Sequence, residues 1–128
     1  MVEKHGPRSV LVIDDDPDMR HVLSDFLRRS GYRVVEAANG REGIFAAESE
    51  RIDVVILDKE MPGMNGLEVL SVFQLRRPRL PVIFITAFGG REDEDESRRR
   101  GAWRYIEKPF RVATVVEAVQ SVLEQSAP

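Results

Sequence analysis

Short apolar runs alternate along the chain with longer stretches in which apolar residues recur at every third or fourth position. Five runs predict strands, at residues 10–13, 34–35, 52–57, 82–85 and 105–106, and the second and fifth of these runs are short. The stretch after each run carries helical spacing, except after the fourth run, where residues 89–101 contain no apolar side chain. This alternation predicts an α/β fold with five strands and about five helices.

Residues at the ends of the predicted helices support this division. Asp16 precedes Pro17, so we expect Asp16 to cap the first helix and Gly31 to end it. The last helix carries a long apolar stripe over residues 112–123. The run at 52–57 is apolar with little alternation, which is typical of a central parallel strand that is buried on both faces.

The fourth predicted helix is the exception, because residues 89–101 contain no apolar side chain. A helix that is polar on every side cannot bury a face against a sheet. Three pairs place an acid four residues before an arginine: Glu94–Arg98, Asp95–Arg99 and Glu96–Arg100. Such pairs stabilise a helix weakly. We therefore expect either a solvated helix that is short, frayed or displaced from the sheet, or a mobile loop.

The two aromatic residues near the fifth strand depend on this helix. Trp103 lies two positions before Tyr105, so we expect both on the same face of the strand. We expect Trp103 to pack where the apolar residues of the fourth helix are missing, with the rings of Trp103 and Tyr105 either partly uncovered or covering each other. The alternative is an exposed Trp103 that docks a partner. We expect Gly89 and Gly90 to loosen the loop between the fourth strand and the fourth helix.

Composition limits the classes of function. The length of 128 residues suits one domain. We expect a folded domain at residues 9–124 with an N-terminal tail at 1–8. Residues 125–128 would be either a C-terminal tail or the start of a linker. The net charge of −3 argues against direct binding to nucleic acid, and no apolar run could span a membrane. Cysteine is absent and the polar start lacks a signal peptide, so we expect a cytoplasmic protein.

Side chains suited to phosphoryl transfer follow four of the predicted strands. Asp14 and Asp15 follow the first strand, Asp58 the third, Thr86 the fourth and Lys108 the fifth. Ligands bind at the carboxyl ends of the strands in open parallel sheets. We therefore expect three carboxylates, a hydroxyl and an ammonium group in one pocket.

This set of groups predicts a metal-assisted reaction at a carboxylate. Crowded carboxylates repel one another, and Mg²⁺ suits a site with few carboxylates and several waters. A carboxylate beside the metal can then act as nucleophile toward a phosphoryl group. Lys108 and Thr86 would stabilise the charge of the transition state. For residues 14–16 alone, the alternative is a turn that caps the first helix.

Four motifs, in order, resemble the receiver domains of two-component response regulators over nearly the whole chain. They are Val12-Ile13-Asp14-Asp15-Asp16-Pro17, Leu57-Asp58-Lys59-Glu60-Met61-Pro62-Gly63-Met64-Asn65-Gly66, Ile85-Thr86-Ala87 and Tyr105-Ile106-Glu107-Lys108-Pro109-Phe110. The resemblance implies a flavodoxin-like, doubly wound, five-stranded parallel sheet of order 2-1-3-4-5. It also implies a cis peptide bond between Lys108 and Pro109.

The same resemblance implies the cofactor and its ligands. Asp58 would be the phosphoacceptor, and Asp15 and Asp58 would bind Mg²⁺ directly. Asp14 would act through water, and the backbone carbonyl of Glu60 would be a further protein ligand. Mn²⁺ could substitute for Mg²⁺.

The resemblance further implies a conformational switch. Thr86 and Lys108 would bind the phosphoryl oxygens, and Tyr105 would turn inward as Thr86 moves toward the phosphate. Glu60 and Phe88 lie where that family varies its rate of dephosphorylation. A carboxylate at position 60 would either orient or repel the attacking water, and the sequence does not decide between the two.

The implied function is a signalling switch that catalyses only its own phosphotransfer and dephosphorylation. Its implied partners are a sensor histidine kinase or phosphotransfer protein, and an output domain or protein that the sequence does not name. The output would read the surface made by the fourth helix, fifth strand and fifth helix. We expect a monomer or a weak phosphorylation-dependent dimer, and a dimer through this surface would be polar.

Two other classes of function compete with this interpretation. Asp14-x-Asp16 mimics the nucleophile motif of haloacid-dehalogenase-like phosphatases, but the chain is short and lacks a cap insertion. An interaction domain that is never phosphorylated is the second alternative. The presence of Asp58, Thr86 and Lys108 together argues against it.

Overall fold

The computed structural model describes residues 6–87 and 89–126, which form a single sheet with helices on both faces. The strands are β1 (Ser9–Ile13), β2 (Arg33–Ala37), β3 (Val54–Asp58), β4 (Val82–Thr86) and β5 (Arg104–Glu107). The helices are α1 (Pro17–Arg29), α2 (Gly40–Ser49), α3 (Gly66–Arg76), α4 (Arg91–Arg99) and α5 (Val112–Ser126).

The sheet is parallel throughout, and its order is β2-β1-β3-β4-β5. The predicted fold and strand order are therefore confirmed. Every residue of β1, β3 and β4 is buried, whereas the edge strands β2 and β5 are partly exposed. The three inner strands read as continuous apolar runs because both of their faces are covered.

Two apolar clusters, one on each face of the sheet, form the core. Strand β1 supplies both, since Leu11 and Ile13 belong to the cluster with α2 and α3, and Val10 and Val12 to the cluster with α1 and α5. This assignment follows the alternation of side chains along a strand. Among the described residues, no helix is both long enough and apolar enough to cross a membrane.

The predicted boundaries of α1 are confirmed. The Asp16 carboxylate accepts a hydrogen bond of 3.0 Å from the backbone N–H of Asp18, which supplies an acceptor at the start of the helix. Gly31 follows the helix with φ 99°, in the left-handed region that favours glycine. The Lys108–Pro109 peptide bond is cis, as expected.

Helix α4 forms and stays against the sheet, so the alternatives of a loop and of a displaced helix are wrong. It spans nine residues, fewer than the other described helices, and its only fully buried residue is Ser97. The predicted pairs Glu94–Arg98 and Glu96–Arg100 are present, at 3.0 and 2.9 Å. Arg99 pairs with Glu96 at 3.0 Å instead of the predicted Asp95, because position i−3 lies as near on a helix as i−4.

The prediction that Trp103 lies on the same face as Tyr105 and packs in place of the missing apolar residues of α4 is also wrong. Trp103 precedes β5 and packs against the cluster with α1 and α5, whereas Tyr105 packs against the opposite cluster. Both residues are half-buried, as expected. Because Trp103 lies outside the regular strand, the two-residue alternation does not fix its face, and it does not replace the missing apolar residues of α4.

Candidate functional site

Three carboxylates meet at the carboxyl ends of β1 and β3. One carboxylate oxygen from each of Asp14, Asp15 and Asp58 lies within 4.8 Å of the others. Asp14 and Asp58 are buried, whereas Asp15 is exposed. The two strands are adjacent and parallel, so the residues at their carboxyl ends share one edge of the sheet.

The buried carboxylates are held at an electrostatic cost. Burial raises the pKa of Asp58 to about 7, and the neighbouring Asp14 acts in the same direction. Burial likewise raises the pKa of Asp14. Lys108 opposes the shift at Asp58, since its Nζ lies 3.4 Å from Asp58 Oδ1. The pocket therefore holds more negative charge than its own ammonium group offsets.

This donor set fits a small divalent cation. Three carboxylate oxygens at this spacing, one of them open to water, match the preference of Mg²⁺ for oxygen ligands with retained waters. Asp14 also accepts a hydrogen bond of 2.9 Å from the Asp16 N–H, so the predicted turn coexists with the cluster. For Glu60, a ligand role of the backbone carbonyl stays a prediction.

The loop after β3 brings the Glu60 side chain to the end of β4. Its carboxylate accepts hydrogen bonds from Thr86 Oγ1, at 2.5 Å, and from the backbone N–H of Ala87, at 2.7 Å. The Glu60 N–H donates to Asp58 Oδ1 at 3.3 Å. Glu60 thus contacts both the predicted acceptor and the predicted switch hydroxyl. Phe88, the other position expected to vary dephosphorylation, lies outside the described residues.

Close packing at the start of α3 fixes this loop. The Gly66 N–H donates to the Lys59 carbonyl at 2.9 Å. A Cβ atom at Gly66 would lie 2.6 Å from Lys59 Cα and 2.7 Å from the Asp58 carbonyl oxygen. The backbone beside Asp58 can approach α3 only because residue 66 has no side chain.

Tyr105 is held by α4 at the other side of the site. Its hydroxyl donates to Asp93 Oδ2 at 2.7 Å, and Lys59 forms an ion pair with the same carboxylate. Burial and the bond to Asp93 raise the pKa of Tyr105, so the hydroxyl remains a donor. Burial opposes the charge on Asp93, yet the bonds from Lys59 and Tyr105 keep its pKa below the ordinary value.

The sequence does not predict two carboxylate contacts at this site. For Glu60 it predicts only a metal-binding carbonyl and an effect on water, and Asp93 is one of five consecutive acids. Residue type and spacing do not single out Asp93, because only the position of α4 brings it to Lys59 and Tyr105. The one signal for this contact in the sequence is that the Tyr105 hydroxyl needs an acceptor and the predicted fourth helix is polar on every side.

Comparisons with known proteins identify the family of this chain. Residues 10–120 match the family model described as the response regulator receiver domain. The chain belongs to this family. The match covers most of the receiver domain's length, including the ends of all four strands that carry the predicted site.

Similar proteins include regulators much longer than this chain. This chain is 36% identical to the transcriptional regulatory protein GlrR of Escherichia coli over 124 aligned residues. These residues make up 97% of this chain and 28% of that protein. It is 33% identical to sporulation initiation phosphotransferase F of Bacillus subtilis over 114 aligned residues, which make up 89% of this chain and 92% of that protein. These relatives are signalling response regulators and not metabolic enzymes.

Solved structures have the same fold. The Francisella response regulator 1452 receiver domain superimposes with a TM-score of 0.90 at 25% identity, over 94% of this chain and 99% of that one. Chemotaxis protein CheY4 of Vibrio cholerae gives 0.87 at 32% identity, over 91% and 99%. The match to the receiver-domain family argues against the haloacid-dehalogenase-like alternative.

Proposed function

We propose that this receiver domain is a phosphorylation-controlled switch whose acceptor is Asp58. The observation that carries the proposal is the position of Asp58, buried at the end of the central strand with Lys108 Nζ 3.4 Å away and two further carboxylates within 4.8 Å. The phosphoryl group would come from a phosphohistidine of a sensor histidine kinase or a phosphotransfer protein.

In the proposed reaction, an Asp58 oxygen attacks phosphorus as the bond between phosphorus and the histidine nitrogen breaks. The electron pair of that bond returns to the imidazole nitrogen, and Asp58 becomes an acyl phosphate. Lys108 and the Thr86 hydroxyl would bind the phosphoryl oxygens on which negative charge accumulates. The Asp15 and Asp58 carboxylates and the Glu60 carbonyl would hold Mg²⁺, or Mn²⁺ in its place, with Asp14 acting through water. When bound, the cation would neutralise charge on the carboxylates and on the transferred group.

The output of the proposed switch is a change at the surface of α4, β5 and α5. Thr86 would leave Glu60 for the phosphoryl group, and Tyr105 would leave Asp93 and turn inward. These movements would break contacts that now hold α4 and its preceding loop. We propose that the altered surface controls an output domain or a separate protein.

The test is covalent labelling of Asp58 by acetyl phosphate in the presence of Mg²⁺. Wild-type protein should gain one phosphoryl group by intact-mass spectrometry, and Asp58→Asn should gain none because it lacks the nucleophile. The control Asp25→Asn changes an exposed carboxylate on α1 and should be labelled like the wild type. Equal labelling of Asp58→Asn would reject the acceptor, and no labelling of any protein would favour the unphosphorylated interaction domain.

A further inference from the structure

The Glu60 carboxylate engages the Thr86 hydroxyl, which the proposed function assigns to a phosphoryl group on Asp58, and also engages the adjacent Ala87 N–H. Thr86 Oγ1 and the Ala87 N–H both point at it, at 2.5 and 2.7 Å. Both donors lie at the end of β4, next to the acceptor strand, since Asp58 pairs with Ile85 in the sheet register. Thr86 is fully buried there.

A carboxylate and a phosphoryl group are both acceptors for the Thr86 hydroxyl. Each presents anionic oxygens, and hydrogen bonds to such oxygens are stronger than neutral ones. The Thr86 hydroxyl carries one proton, as does the Ala87 nitrogen. Neither can give its full hydrogen bond to two anions at once.

We infer that Glu60 is an internal anion that, in the unphosphorylated domain, occupies the Thr86 hydroxyl proposed to bind the phosphoryl group, together with the adjacent Ala87 N–H. This inference rests on the proposed function, in which Thr86 binds the phosphoryl group. Glu60 acts through Thr86 and Ala87 and is therefore a positioning residue. Its side chain must leave these donors before Asp58 can hold a stabilised phosphoryl group, so it opposes the switch in the resting state.

Competition of this kind predicts tighter anion binding when Glu60 is shortened. Glu60→Ala removes the competing acceptor and keeps the backbone carbonyl that is proposed to bind the metal. We expect the apparent affinity for beryllofluoride, a phosphoryl mimic, to rise about tenfold, which corresponds to ~1.4 kcal/mol. Beryllofluoride binds at equilibrium, so an effect of Glu60 on hydrolysis of the phosphate does not enter.

The affinity is measured by titrating each Mg²⁺-saturated protein with beryllofluoride and following amide signals by NMR. Glu60→Gln keeps the length of the side chain and one acceptor oxygen, so its gain should be smaller than that of Glu60→Ala. The matched control is Glu107→Gln. Glu107 is exposed and pairs with Thr86 in the sheet register, so this variant removes an equal charge nearby. Its affinity should change by no more than about twofold, because exposed charges are well screened.

A second measurement uses the resting protein without metal or phosphoryl mimic. The Ala87 amide proton should move upfield in Glu60→Ala, because it loses a short bond to a carboxylate, and should stay in place in Glu107→Gln. This readout does not depend on phosphorylation.

An unchanged affinity in Glu60→Ala would overturn the inference, as would an equal gain in Glu107→Gln, which would indicate charge alone. In both cases, labelling of wild-type Asp58 would leave the proposed function intact. If the wild type is not labelled and binds no beryllofluoride, the proposed function fails and the inference fails with it, even where the Ala87 amide moves as expected.

Discussion

The buried carboxylate of Asp58, the proposed acceptor, lowers the stability of the resting protein. Asp58 is 3% exposed and lies beside Asp14, and its pKa is raised to about 7 by burial first and by Asp14 second. A carboxyl with a raised pKa binds more protons in the folded than in the unfolded state between about pH 4 and pH 7. The free energy of unfolding should therefore fall as the pH rises through this window.

Asp58→Asn should consequently stabilise the metal-free protein in a pH-dependent way. In EDTA at pH 8 we expect the free energy of unfolding to rise by about 1–3 kcal/mol, because asparagine carries no charge that must be buried. The gain should shrink toward pH 4, where folded Asp58 is already protonated. Urea unfolding at several pH values measures this, with Asp25→Asn on the surface as control. A difference between Asp58→Asn and wild type that does not vary with pH would contradict the assigned cause.

At the scale of elements, α4 shows how a helix without apolar residues can still lie on a sheet. The Asp93 carboxylate accepts a hydrogen bond from the Tyr105 hydroxyl and pairs with Lys59, and Ser97 is buried beneath the helix. These contacts hold α4 against β5 and against the loop after β3. The remaining pairs, such as Glu94–Arg98, lie within the helix and are exposed, where each contributes only a few tenths of a kcal/mol.

Residues 91–100 should therefore exchange their amide protons faster than β3, whose residues are all buried. Asp93→Asn removes the charge that holds Lys59 and should accelerate exchange in α4 by about tenfold, equivalent to ~1.4 kcal/mol. Asp95→Asn makes the same change at an exposed position of the same helix and should alter exchange little. Hydrogen exchange read by NMR tests both expectations. If the amide protons of α4 exchanged as slowly as those of β3, the expectation would be wrong, and the polar contacts would hold α4 as firmly as a buried core holds β3.

At the scale of the whole molecule, a bound cation should stabilise the fold through the strand ends that it joins. Asp14, Asp15 and Asp58 come together only when β1 and β3 are paired, so the unfolded chain offers no equivalent site. A ligand that binds only the folded state at a hundred times its dissociation constant adds about 2.7 kcal/mol.

Saturating Mg²⁺ should accordingly raise the melting temperature by about 5–10 °C for a domain of this size. Asp15→Asn removes the exposed carboxylate of the proposed site and should abolish most of this rise while leaving the metal-free melting temperature nearly unchanged. Calorimetry with and without Mg²⁺ measures the difference, and added NaCl at matched ionic strength controls for screening. A full rise in Asp15→Asn would exclude Asp15 as a ligand.

The sequence by itself determined the fold and the gathering of the strand-end residues. The spacing of apolar residues and the lengths of the apolar runs predicted five strands and about five helices. Polar residues after four of these runs predicted that Asp14, Asp15, Asp58 and Lys108 would lie close together. These features could be predicted because strand burial and the shared edge of a parallel sheet follow from local pattern and from topology. The roles assigned to those residues still await the labelling and metal-binding experiments.

Only the tertiary structure decided which side chains reach the site from elsewhere. Glu60 turns to Thr86 and Ala87, and Asp93 reaches Tyr105 from a helix that the pattern left without an apolar face. Trp103 packs on the face opposite to the one expected because it precedes the regular strand. Hydrogen bonds depend on loop path and on distances of a few tenths of an ångström, and the spacing of residues along a chain does not contain that information.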